Sequence, residues 1–101
     1  MSASAFPVSS GTTSSVVSCF SLVAAADPGV LARVINVFAK SGLIPSQVYS
    51  TLVGLQSEDL HIDLQVSAID AHLRELIAES LRQIVCVQIV LTSEKRRAQS
   101  A

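Results

Sequence analysis

Residues 60–66 read Leu60-His61-Ile62-Asp63-Leu64-Gln65-Val66. Leu60, Ile62, Leu64 and Val66 alternate with His61, Asp63 and Gln65. That period of two describes a strand with one buried and one wet face. Just before it, Gly54 to Glu58 holds the residues of a turn, and Gln47 to Val53, entered through Pro45, reads as a second strand. Just after it, Leu73, Leu76, Ile77, Leu81 and Ile84 recur at helical spacing, with Asp70 or Ser67 as candidate caps. Ser80 falls within that stripe and predicts a close helix contact. Val85 to Thr92 is rich in β-branched residues and reads as a closing strand.

The same pattern repeats toward the N-terminus. Val16 to Ala25 is a β-rich run with apolar residues on both faces. Asp27-Pro28-Gly29 then opens a helix, with Asp27 expected as N-cap and Pro28 at the first helical position, where its missing N–H costs nothing. Val30, Leu31, Val34, Ile35 and Phe38 share one side, while Arg33, Asn36 and Lys40 share the other. Gly42 fits the position just past the helix end. The order β-α-β-β-α-β, with right-handed crossovers, places both helices on one face of a four-stranded antiparallel sheet of order 4-1-3-2. The fold expected is therefore α+β, a ferredoxin-like βαββαβ sandwich. Its domain spans residues 16–93, between a Ser-, Thr- and Ala-rich disordered tail at 1–15 and a polar C-terminal tail at 94–101.

Half of the 101 residues are apolar and 15% are charged, which excludes the disordered class. The net charge of −1 argues against a nucleic-acid surface, where a basic footprint is expected. The third strand offers His61, Asp63 and Gln65 on its wet face, and no aromatic platform for stacking bases. No apolar stretch is long enough to span a bilayer. Val16 to Ala26 mimics a secretory signal, but no Lys or Arg precedes Arg33, so the positive flank is missing. Cys19 and Cys86 make no metal spacing and sit in apolar runs, where cysteine acts as a small buried hydrophobe. Nothing calls for an oxidising compartment, and the expected location is cytoplasmic. His61 and His72 are isolated, and no nucleophile–base arrangement frames the serines, so no catalytic residue, cofactor or metal is expected.

Two features point to binding. The Gly29 bend lets backbone come close to a ligand, and the following helix N-terminus offers N–H groups to a carboxylate. Gln47 to Val53 should be an edge strand, yet it holds no Lys or Glu to block pairing. Val48, Tyr49, Leu52 and Val53 are thus the expected contacts of a homodimer.

The stretch DPGVLARVINVFAKSGLIP, residues 27–45, resembles the first helix and flanking loops of ACT domains, the small amino-acid-sensing modules. Within that family it is most similar to the regulatory, or small, subunit of acetolactate synthase. Residues 60–90, LHIDLQVSAIDAHLRELIAESLRQIVCVQIV, carry the same resemblance. It implies a non-catalytic regulatory partner of a large catalytic chain in branched-chain amino acid biosynthesis. It also implies side-by-side pairing, with an amino-acid effector bound between copies. Carried over, the pocket would be lined by Ala26, Asp27, Pro28, Gly29, Val30 and Leu31, faced by Leu43, Ile44 and Pro45. Two residues depart from the pattern. Ala26 stands where valine-sensing members carry Asn or Asp, and Ile44 where many carry Asn. The pocket so derived keeps backbone donors and loses two polar anchors, each worth about 1.5–3 kcal/mol to a charged effector. The alternative is a stand-alone homodimer that binds a small ligand or serves in assembly, without a catalytic partner.

Overall fold

The computed structural model describes residues 15–97. Strand β1 is Ser15–Ala25, helix α1 Val30–Lys40, β2 Gln47–Val53, β3 Asp59–Ser67, α2 Ala71–Arg82 and β4 Val87–Arg97. The strands form one antiparallel sheet in the order β2-β3-β1-β4, the ferredoxin-like topology read from the sequence. The tail expected at 1–15 lies outside the described residues, except that Ser15 already belongs to β1.

Register decides which face each residue serves. Phe20 lies opposite Leu64, Leu22 opposite Ile62, and Val48, Ser50 and Leu52 opposite Leu64, Ile62 and Leu60. Directly opposed residues share a face, so these side chains form the helix side of the sheet. Phe20, Leu22, Ala24, Ile62, Leu64, Val66 and Val90 are buried there. Helix α1 adds Val30, Val34 and Phe38, four residues apart, and α2 adds Ile77, Ala78 and Leu81. The rings of Phe20 and Phe38 meet edge to face, with centroids 5.3 Å apart. On the opposite face Tyr49, Asp63, Ser21 and Leu91 form one cross-strand row, and Ser21 Oγ donates to Asp63 Oδ1 at 2.5 Å.

The helix ends follow their local chemistry. Asp70 caps α2 by accepting the Leu73 N–H at 2.8 Å. At the end of α1, Gly42 takes φ of +74°. Its N–H reaches the Ala39 carbonyl and the Leu43 N–H reaches the Phe38 carbonyl, the paired bonds of a Schellman motif. Asp70→Ala should cost about 1 kcal/mol of stability, read as a lower urea midpoint at unchanged slope.

Three expectations are corrected. Ser80 is exposed and Leu76 is about half exposed, because α2 turns Ile77, Ala78 and Leu81 inward. The charged run at Glu94 to Arg97 is not a tail, because β4 continues through Arg97 in register with Ser15 to Ser18. Arg74 anchors that extension. Its Nη1 donates to Glu94 Oε2 at 2.6 Å and to Ser18 Oγ at 3.4 Å, which serves the buried Ser18 hydroxyl. Finally, Cys19 and Cys86 are only half-buried, and both are free thiols. No described helix is long and apolar enough to cross a membrane.

Candidate functional site

The bend between β1 and α1 is tied down by its own amides. The Ala26 N–H donates to the Glu58 carbonyl at 3.0 Å, and the Asp27 N–H to the Ala25 carbonyl at 2.8 Å. The Val30 N–H donates to the Asp27 carbonyl at 3.1 Å. Asp27 is not the N-cap, and Pro28 is not the first helical residue; Gly29 is the cap residue, with φ −87° and ψ −8°. Asp27 acts one step earlier, where its Oδ2 accepts the Gly29 N–H at 3.0 Å in an Asx turn. The same oxygen stands 3.5 Å from Arg33 Nη1.

A cavity of about 530 Å³ opens beside this bend, lined by Ala26, Asp27, Pro28, Leu31, Ser50, Leu52, Ser57 and Leu60. It lies at the end of the sheet where Asp59 pairs with Ala25 on one side and Val53 on the other. The helix side of β2 is left open, with Leu52 56% exposed beside the cavity and Val48 41% exposed toward the other end of the strand. Among the nine residues expected to line a pocket, Ala26, Asp27, Pro28 and Leu31 do so in one chain. Gly29 serves the turn, and Val30 is fully buried in the core. Leu43 packs against the core, Ile44 is 88% exposed, and Pro45 is half-buried. These three precede the opposite end of β2, where Gln47 pairs with Gln65. One chain therefore keeps the two halves of the expected pocket apart.

Sequence reasoning missed Ser50, Ser57 and Leu60 as lining residues. Ser50 carried a signal, being a polar residue between Val48 and Leu52 on the face that packs inward elsewhere. Ser57 carried none, since its place depends on a φ of +57° in the β2–β3 turn. Elsewhere the chemistry is sparse. His61 and His72 are exposed. Among the described residues no group of three His, Cys, Asp or Glu side chains could hold a metal ion.

Residues 11–99 match the model described as the ACT-like domain. The chain belongs to the ACT-like domain family. Its fold is similar to the ACT domain from the GTP pyrophosphokinase of Chlorobium tepidum. The TM-score is 0.65 at 11% identity, over 78% of this chain and 99% of that one. It is also similar to the C-terminal domain of the MgtC protein from Mycobacterium tuberculosis. There the TM-score is 0.66 at 10% identity, over 86% and 95% of the two chains. The regulatory subunit of aspartate kinase from Thermus flavus matches with a TM-score of 0.56 at 15% identity, over 80% of this chain and 55% of that one. No curated protein sequence matches the chain.

Proposed function

We propose that this chain is a non-catalytic regulatory module that works as a cytoplasmic homodimer. In the fuller form of this reading it is the small subunit of an acetolactate-synthase-like catalytic chain in branched-chain amino acid biosynthesis. Its effector site is the crevice shared by two copies.

The observation that carries the reading is the character of β2. It is an edge strand with no charged residue, and its Val48, Tyr49 and Leu52 are 41%, 61% and 56% exposed. Its Val53 is half-buried. Such an edge invites another strand. Antiparallel pairing of two copies about Ser50, the midpoint of β2, sets Val48 opposite Leu52 of the second copy. It also carries the exposed Ile44 of each copy toward the Ser57 rim of the other's cavity. The residues that one chain holds apart, Ala26 to Leu31 and Leu43 to Pro45, then meet across the twofold axis.

The partner is tested by mixing the purified chain with an acetolactate synthase catalytic subunit. Co-elution and a changed turnover rate are the expected result. Separate elution with an unchanged rate removes that partner and leaves the alternative, a stand-alone homodimeric ligand-binding or assembly module. That alternative draws support from the bend itself, whose Ala26, Asp27, Gly29 and Val30 amides are already bonded within the chain.

A further inference from the structure

We infer that the loop end of the sheet docks another protein, one with an apolar pocket rimmed by lysine or arginine, and that Leu55 and Val85 are the anchors. This surface is distinct from the β2 edge, and neither anchor lines the cavity. Two four-residue turns meet there. The Ser57 N–H closes one on the Gly54 carbonyl at 3.2 Å, and the Val87 N–H closes the other on the Ile84 carbonyl at 3.0 Å. Leu55 and Val85 each hold the second position of their turn. Leu55 is fully exposed and Val85 is 94% exposed. Turn positions favour Gly, Pro, Asn, Asp and Ser, whose backbones or side chains suit the bend. A leucine and a β-branched valine there serve neither the turn nor the core.

Both turns are tied to the end of one strand. The Glu58 carbonyl accepts the Ala26 N–H at 3.0 Å, and the Cys86 carbonyl accepts the Ala25 N–H at 2.9 Å. Strands β3 and β4 flank β1, so two strand spacings, roughly 10 Å, separate the turns. The exposed Ala26 and Pro28 lie on the bend between them. The Gln56 N–H also donates to Glu58 Oε1 at 3.0 Å, which holds the first turn in shape. Anchors carried on bonded turns lose little freedom on binding. Charge selects the occupant. Arg33 and Arg82, the cations at this end, are engaged by Asp27 and Glu79. Glu58 and Asp59 follow Leu55 closely, and no ion pair among the described residues engages them. Lys40, Arg74 and Lys95 to Arg97 lie at the opposite end, where α1 stops, α2 starts and β4 stops. Apolar apices beside unpaired acids fit an apolar pocket with a basic rim. The same acids repel an anionic bilayer, and a second copy approaching by the same end.

The test uses the full chain with p-benzoylphenylalanine in place of Leu55, of Val85 or, as a control, of the exposed Glu75 on α2, irradiated in an extract of its own cells. The first two should cross-link one and the same protein, identified by mass spectrometry, and the control should not. That protein, once purified, should bind the parent chain with an affinity that falls as salt rises. Leu55→Ser and Val85→Ser should each weaken binding about tenfold or more. Their Tm and assembly mass should stay near those of the parent, since both side chains are exposed. Glu58→Gln keeps an oxygen for the Gln56 N–H and should flatten the salt dependence. Different adducts at the two anchors, or none, overturn the inference, as does an affinity that both serine variants leave unchanged. A serine variant with a lower assembly mass overturns it by showing that a second copy covers the anchor. Anchor-dependent binding to neutral phosphatidylcholine vesicles overturns it in favour of a bilayer. Co-elution with an acetolactate synthase catalytic subunit that both serine variants leave unchanged also overturns it, yet keeps the regulatory reading. A common adduct with a different chain removes that catalytic partner and supports the inference.

Discussion

Replacing Phe38 by alanine is expected to remove about 3–5 kcal/mol of folding free energy, as truncation of a buried aromatic does. Phe38 is fully buried, and it is where the first helix reaches the sheet through the Phe20 ring. The loss combines transferred apolar area, an unfilled cavity and an edge-to-face contact worth about 0.5–1.5 kcal/mol beyond area. A domain of this size holds about 5–15 kcal/mol in all, so the variant sits near the edge of folding. At about 4–8 °C per kcal/mol, its Tm should fall by more than about 12 °C. Phe38→Leu keeps most of the apolar volume and should lose clearly less. A urea midpoint for Phe38→Ala within about 1 kcal/mol of the parent would show that the helix is held by other contacts.

The second large effect concerns assembly. Val48→Lys and Leu52→Lys should each turn a dimer into a monomer by light scattering at micromolar concentration. In a single copy both side chains are substantially exposed, so folding stability should move by no more than about 0.5 kcal/mol. In a twofold interface each substitution is made twice, and each buries an unpaired ammonium at a cost of several kcal/mol. A total near 4 kcal/mol weakens association about a thousandfold. Pairing about Ser50 adds a sharper expectation. Mixing Val48→Lys with Leu52→Glu should recover a heterodimer, because the new ammonium then faces the new carboxylate. A dimer that survives both lysine variants would place the interface elsewhere.

The elements were legible wherever a single periodicity governs them. The alternation at Leu60 to Val66 and the bounds of β2 match the structure because each strand has one partner-facing pattern to obey. The start of α1 was misplaced by two residues because Asp27 can satisfy either the helix or the preceding turn, and the Asx turn prevailed. The charged end of β4 was read as solvent-bound because its support comes from Arg74, twenty positions away from Glu94. Local charge does not report such a partner. The cavity was half legible. Ala26, Asp27, Pro28 and Leu31 sit on a motif, whereas Ser50, Ser57 and Leu60 join them only when the β2–β3 hairpin folds beside the bend.

The two rims of the sheet are unequal. β2 presents seven residues without a charge, while β4 ends in Glu94, Lys95, Arg96 and Arg97 and loses register beside Val23 and Ala24. A sheet with two inviting rims can add copies indefinitely and run on into a fibre. If copies join through β2, the charges at Glu94 to Arg97 oppose further addition along that stretch of β4, while its Val87 to Ser93 stretch, with Ile89 and Leu91 exposed, does not.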